Sequence, residues 1–182
     1  YFWTNNYRYK NLFMNIRYRK HYFQFFFTLL FEKKIKNPYE IPIIINNFNR
    51  LTTLKNLVED LQKRGYKNLI ILDNNSTFPK LLDYYDVLKE EGKIKLYLLK
   101  KNYGSKSLWK SGVFYKYMFS KFCYTDSDLF IHNDCPNNFI EHCESLLNKY
   151  KNCYKPFICY KKSYIIKNTD SGSYILLRTR NL

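Results

Sequence analysis

Alanine does not occur in this sequence, and glycine and proline are scarce, with five of each in 182 residues. A chain so poor in Gly and Pro is neither collagen-like nor a low-complexity linker. Cysteine is sparse too. Cys123, Cys135, Cys143, Cys153 and Cys159 make an odd number, and no two of them form a C-x-x-C pair. That excludes a fully paired disulfide framework and a zinc knuckle. Cys123 falls in an expected buried strand and Cys143 on the apolar face of an expected helix, where a free thiol packs as a small hydrophobe. A reducing, cytoplasmic compartment fits such usage. Long apolar runs are missing as well. The nearest to one is Tyr22 to Phe31, YFQFFFTLLF, well short of the roughly 18 residues a membrane span needs. No small-residue cleavage site follows it, so it is not read as a signal peptide. Arg17, Arg19, Lys20, Lys33 and Lys34 flank it, which suits either an amphipathic helix on a membrane surface or packing on the domain or a partner domain. The chain starts at Tyr1 rather than Met, as a fragment or a processed product does.

Acidic residues are the other deficit: 15 against 31 basic ones, for a net charge of +16. Such an excess suggests an anionic partner, nucleic acid or membrane. Composition offers a plainer cause. The absent alanine and the abundance of Lys, Asn, Ile, Tyr and Phe follow A/T-rich codons, and 24 of the basic residues are Lys and only 7 are Arg. Chains built around phosphate contacts draw more on the Arg fork. The charge is also uneven: residues 1–40 carry net +6, residues 41–148 net +3 and residues 149–182 net +7. The middle of the chain is therefore an ordinary, nearly balanced globular segment. Residues 1–40 read as a basic, aromatic N-terminal extension and residues 41–182 as one domain.

Within that domain the hydrophobic pattern alternates between two periods. Ile41 to Ile45 (IPIII), Asn68 to Leu72 (NLIIL), Ile94 to Leu99 and Phe122 to Thr125 are short continuous apolar runs, as expected of strands buried on both faces. Between them lie helical patterns. Leu54, Leu57, Val58 and Leu61 recur at helical spacing after Thr52 or Thr53, which can cap, and Gly65 stands where a C-terminal cap belongs. Lys80 to Lys89 reads as a second helix with Leu81, Leu82, Tyr85 and Leu88 on one side and Gly92 at its end. Ser107 to Phe119 reads as a third. Asn137 to Tyr150 reads as a fourth, capped by Asp134 or Asn137. Phe157 to Tyr160 and Tyr174 to Leu177 are candidate late strands. The order β-α-β-α-β-α-β predicts an α/β fold: an open, mostly parallel, Rossmann-like sheet with helices on both faces. Ligands of such sheets bind beyond the carboxyl ends of the strands. The distinctive polar residues Asn46, Asn47, Asp73, Asn75, Asn102 and Asp126 all fall at those ends.

The run FCYTDSDL, residues 122–129, is the sharpest feature. Two carboxylates, Asp126 and Asp128, leave the end of a buried strand. Hard cations such as manganese or magnesium take oxygen ligands. A diphosphate needs such a cation to offset its charge as it becomes a leaving group. D-x-D alone is a common turn sequence; its place after the fourth strand of a β/α series is what favours chemistry. Asp73 ends the second strand, where a carboxylate can accept from a base N–H or a ribose hydroxyl, or can simply cap a turn. His132 follows the pair by four residues and is a candidate third ligand, or an ordinary loop histidine.

The runs IPIIINNFNRLTTLKNLVEDLQKRGYKNLIILDNNSTFPKLLDYY, KNYGSKSLWKSG, FCYTDSDL and DCPNNFIEH resemble the nucleotide-binding part of bacterial and viral family-2-like glycosyltransferases of the GT-A type. The resemblance covers about Ile41 to Tyr150. It rests on an Asn-Asn loop after the first strand, a D-N-x-S-T-x-P loop, a T-D-x-D metal motif and a Cys-Pro helix start. It implies transfer of a sugar from a nucleotide-diphosphate donor, such as a UDP-sugar, to a hydroxyl of a glycan, protein or lipid acceptor, with inversion and with Mn2+ or Mg2+. Asn46, Asn47 and Arg50 would then lie against the nucleotide, and Asp73 and Asn75 against base or ribose. Gly104 would allow close approach, Lys106 and Trp109 would border the donor pocket, and Asp126 and Asp128 would hold the metal. Beyond residue 150 the resemblance thins to a short or truncated acceptor region. There Asp170, in NTDSGSY, is the sole acidic residue after Glu144 and the one late candidate for the base that deprotonates the acceptor hydroxyl.

Two other classes compete. A donor-binding module of the same fold without transfer chemistry would suit the short, Lys-rich end. A single-strand nucleic-acid binder would suit the +16 charge and 20% aromatic content; against it, no nucleic-acid-binding motif occurs and the excess charge lies outside the motif-rich middle. No specific nucleic-acid partner is expected.

Overall fold

The computed structural model describes residues 35–117, 120–149, 166–168 and 176–178. The apolar segment at 22–31, the expected strand at 157–160, Cys153, Cys159 and Asp170 lie outside the described residues.

Four parallel strands form the centre: β1 (Ile43–Asn47), β2 (Leu69–Asp73), β3 (Lys95–Leu98) and β4 (Phe122–Asp126). β5 (Leu129–Ile131) and β6 (Ile166–Asn168) pair antiparallel as a separate ribbon. β7 (Leu176–Arg178) adds an antiparallel edge to the main sheet, giving the order β3-β2-β1-β4-β7. The helices are α1 (Thr52–Lys63), α2 (Pro79–Glu91), the single turn α3 (Ser107–Lys110) and α4 (Phe139–Lys149). This is the mixed α/β architecture expected from the alternating periods. β1 and β2 begin and end one or two residues later than their apolar runs suggest and β4 ends one later, because Asn46, Asn47, Asp73 and Asp126 stay in the ladder, while β3 is one residue shorter than its run at each end.

Period-two alternation splits the core into two layers. Ile43, Ile45, Leu69, Ile71 and Cys123 pack with Leu54, Leu57, Val58 and Leu61 of α1, Leu81, Tyr85 and Leu88 of α2, and Phe139, Ile140 and Cys143 of α4. On the other face Ile44, Ile70, Leu72, Phe122 and Tyr124 meet Leu108 of α3, Val113 and Tyr117. One face thus carries three longer helices, while among the described residues the other carries one helical turn and 3-10 segments.

Several local expectations are corrected. The helix expected over 107–119 stops at Lys110. Gly112 takes φ +81, and a 3-10 turn over Val113–Lys116 follows. Neither Thr52 nor Thr53 caps α1; Leu51 is the cap residue, with no side-chain bond. Leu82 does not join the α2 core and is 39% exposed. Gly65 does end α1. With φ +92 it donates to the Gln62 carbonyl (2.9 Å), and Tyr66 N donates to the Leu61 carbonyl (3.0 Å). These are the paired bonds of a Schellman ending. They aim the buried Tyr66 at α4, where its hydroxyl donates to the Asn137 carbonyl (2.8 Å) and accepts from Ile140 N (3.3 Å).

Candidate functional site

Parallel pairing brings the ends of β1, β2 and β4 to one rim. Asn46 lies opposite Leu72 on one side and Asp126 on the other, and Asn47 opposite Asp73. Asn46 is the junction. Its amide donates to Asp126 Oδ1 (3.0 Å), and its Oδ1 accepts from Asn74 Nδ2 (2.8 Å) and Ser107 Oγ (2.7 Å). Asn74 extends the network: its Nδ2 donates to the Gly104 carbonyl (3.1 Å) and its Oδ1 accepts from Tyr103 N (3.1 Å). Ser107 Oγ also lies 3.0 Å from the Tyr124 hydroxyl, which reaches the Ser105 carbonyl (3.2 Å). A buried amide with both ends satisfied holds its neighbours in one geometry. The 102–107 loop is therefore tied to the strand ends.

The carboxylate pair sits on this frame. Ser127 N donates to the Asn46 carbonyl (3.0 Å), so the bond between strands continues past Asp126 and fixes the turn into Asp128. Asp128 is buried, and the Arg50 guanidinium from the β1–α1 loop pairs with its Oδ2. Burial is the main force raising the Asp126 carboxyl above the ordinary carboxylate range, and the neighbouring Asp128 charge adds to it; the Asn46 bond and the Arg50 charge pull the other way. A cation beside the pair would offset the Asp126 charge that burial disfavours. The donor set, two carboxylates and no sulfur, suits a hard ion such as Mn2+ or Mg2+.

Asp73 is at the rim but faces inward. At 2% exposure, its oxygens accept from Ser76 N (2.8 Å), Ser76 Oγ (2.5 Å) and the Tyr85 hydroxyl (2.8 Å). Tyr85 in turn accepts from Asn47 Nδ2 (2.8 Å), and Asn47 Oδ1 is buried with no hydrogen-bond partner. Asn49 zips the two neighbouring loops together. At φ +52 its N donates to Ser76 Oγ (2.8 Å), and its Oδ1 accepts from Thr77 N (2.8 Å) and Phe78 N (3.0 Å).

The remaining expected site residues divide. Gly104 lies on the rim with φ +64, and a Cβ there would meet nothing within 4 Å; backbone conformation calls for the glycine, and the space before it is open. Trp109 stands edge-on to Tyr124 (5.3 Å between ring centres) and is 41% exposed, so it borders the rim while packing on it. Lys106 and Asn75 are exposed, Asn75 at φ +65 in the loop after β2. His132 is not brought to the carboxylate pair. Its Nδ1 turns to its own loop, 3.1 Å from Asp134 Oδ2 and 3.3 Å from Asp134 N. No group of three or more His, Cys, Asp or Glu side chains that could hold a metal forms among the described residues. Asn74, Ser107, Tyr124 and Tyr85 are contributors the sequence reading missed. So is Arg64, which is buried and bonds the carbonyls of Cys135 (2.6 Å) and His132 (3.2 Å), holding the loop that leads into α4.

The strand pairing and the rim define an α/β protein with a carboxylate pair at the carboxyl edge of a parallel sheet. No family model matches the chain, and no curated protein matches it. Among solved structures it is similar to the crystal structure of S. aureus TarS 1-349, at 16% identity and a TM-score of 0.45, over 62% of this chain and 33% of that one. The match thus spans about a third of that chain's length, and so distant a likeness bears on neither mechanism nor ligand. No helix among the described residues is long and apolar enough to cross a membrane.

Proposed function

We propose that this chain is a GT-A-like, family-2-like glycosyltransferase that binds a nucleotide-diphosphate sugar at the β1–β2–β4 rim. The observation that carries the reading is the Asp126–Asp128 pair, held at the end of a parallel strand by Asn46 on one side and Arg50 on the other. In this reading Asp126 and Asp128 hold Mn2+ or Mg2+, and the bound ion supplies charge to offset the diphosphate of the departing nucleotide. Asn46 fixes the orientation of Asp126. Arg50, Asn75, Lys106 and Trp109 border the donor; Asn47, expected against the nucleotide, is instead buried on Tyr85, and with Asp73 it stands behind them, shaping the loop that meets the base or ribose.

The late strands run beside the carboxylate pair. Asn168, the last residue of β6, pairs opposite Leu129, next to Asp128. Leu176, the first of β7, pairs opposite Tyr124, two residues before Asp126. The chain therefore leaves one strand and enters the next on either side of the carboxylate pair. In this reading Asp170 is the base that takes the proton from the acceptor hydroxyl.

The test is thermal unfolding with UDP and UDP-sugars, with and without Mn2+. A ligand present at 100 times its dissociation constant stabilises the fold by about 2.7 kcal/mol. A rise in Tm that needs both Mn2+ and the nucleotide, and that is lost in Asp128→Asn, is the expected outcome. The same rise in Asp128→Asn, or none in the unmodified chain, would sink the proposal. Release of free nucleotide from a UDP-sugar then separates transfer or hydrolysis from binding alone.

A further inference from the structure

We infer that Arg50 is a latch on the metal site: it occupies Asp128 when no ion is bound and is handed over to the diphosphate when metal and nucleotide arrive together. The inference rests on the proposed reading of the Asp126–Asp128 pair as the metal site, and it goes further by assigning Arg50 two alternative partners. Its basis is an asymmetry across one ion pair. The Asp128 side chain is 6% exposed, whereas that of Arg50 is 49% exposed. The carboxylate is held in the protein, while the guanidinium reaches it from solvent and can leave.

The base of the arm is fixed. Asn49, immediately before Arg50, is pinned at φ +52 by its three bonds to Ser76, Thr77 and Phe78. Arg50 therefore starts from one place and changes partner by side-chain rotation alone. A guanidinium on Asp128 Oδ2 neutralises the charge that a divalent ion needs and covers one of its ligand oxygens. The ion must displace it, so metal alone binds weakly. A diphosphate changes the balance. Its oxygens accept the planar fork of an arginine in pairs, which a lysine cannot match. Arg50 then gains a partner as it gives one up, and metal and nucleotide bind cooperatively. Only 7 of the 31 basic residues are Arg, so an arginine at this spot stands out against the lysine-rich background.

The experiment measures Mn2+ binding by the electron paramagnetic resonance of the free ion, with and without UDP, for the unmodified chain, Arg50→Gln and Arg50→Lys. Thermal unfolding of each variant verifies folding. Removing the competing charge in Arg50→Gln should tighten Mn2+ binding in the absence of nucleotide by about two- to fivefold, the range of a partly exposed ion pair. It should also weaken UDP binding at saturating Mn2+ by a similar factor and abolish most of the cooperativity. Arg50→Lys should keep weak Mn2+ binding yet lose affinity for UDP. Equal Mn2+ affinity in Arg50→Gln and the unmodified chain, with Mn2+-dependent UDP binding intact, would overturn the latch and leave the proposed function standing. Absence of Mn2+-dependent UDP binding in the unmodified chain would overturn both.

Discussion

Replacing Asn46 with Asp changes one atom group at the junction of the rim and reverses its sense. The Asn46 amide now donates to Asp126 Oδ1 over 3.0 Å. In Asn46→Asp, a carboxylate oxygen would face a carboxylate oxygen there. Two unit charges about 4 Å apart near a protein surface repel by about 4 kcal/mol. The pair can instead take up a proton, and holding one at pH 7 costs about 1.4 kcal/mol for each pH unit above a carboxylate's ordinary pKa near 4, again about 4 kcal/mol. Both routes give the same scale, a large share of the roughly 5–15 kcal/mol that holds a domain folded. Asn74 and Ser107 can still donate to the side chain at position 46, so the loss is specific to the Asp126 contact. Asp126→Asn in the same chain should rescue it, because the new amide at position 126 can donate to the new carboxylate in the reverse direction. Asp126→Asn alone should be neutral or stabilising, since burial and Asp128 already oppose that charge. Urea unfolding of the four chains in chelator-treated buffer at pH 7 measures the cycle, with a coupling of at least about 2 kcal/mol expected. The sign with pH is also set. Below neutrality the folded pair in Asn46→Asp holds more protons than the unfolded chain, so stability falls as pH rises and the deficit shrinks toward pH ~4. A loss below about 1 kcal/mol in Asn46→Asp, or a double variant no more stable than the single, would refute the geometry of the rim.

Two further predictions concern tyrosines. Tyr85→Phe removes the hydroxyl that accepts from Asn47 Nδ2 and donates to Asp73 Oδ1, leaving the buried Asn47 amide without its partner. A loss of about 2–3 kcal/mol in chemical denaturation is expected, and a loss within about 0.5 kcal/mol, the usual scatter of neutral surface changes, would contradict the buried placement. Burial also raises the hydroxyls of Tyr66, Tyr85 and Tyr117 far above the ordinary tyrosine range, with Tyr97 adding to the rise at Tyr117. In the unfolded chain these groups ionise near pH ~10, so the unfolded state binds fewer protons and stability falls as pH climbs through that value. Their tyrosinate absorbance should appear together with loss of circular dichroism; smooth titration of every tyrosine near pH ~10 with the fold intact would contradict the burial.

The alternation of strand and helix was legible because its signals are local and redundant. Leu54, Leu57, Val58 and Leu61 form one stripe, and all four are buried. Gly65 and Gly92 lie just past α1 and α2 with φ +92 and +64, as helix endings favour. What failed was the stretch after Ser107, where Leu108, Val113 and Tyr117 are buried as a helix would place them although the backbone is broken at Gly112. Burial at roughly helical spacing did not distinguish a continuous helix from two short turns sharing one face. The β4–β7 pairing was not legible either. An antiparallel edge so far along the chain is specified by tertiary contacts rather than by a local period.

The two rim carboxylates show why site residues are harder to read than elements. Asp73 and Asp126 look alike in sequence: each ends a buried apolar strand and is followed by a polar loop. Strand parity separates them. Asp73 shares its face with Leu69 and Ile71, the layer beneath α1 and α2, and α2 brings Tyr85 against it. Asp126 shares its face with Phe122 and Tyr124, where the described cover is one helical turn and a 3-10 segment. A long helix closes over the first carboxylate and turns it into an anchor for the loop; under thinner cover the second is only partly buried. The parity was countable from Ile70 and Tyr124 once the strands were aligned. The alignment itself required knowing that β1 lies between β2 and β4, and that is a property of the sheet, not of any segment. Chemistry at this rim therefore depends on which strand stands beside which, and a D-x-D pair acquires meaning only after the neighbour that supplies Asn46 is known.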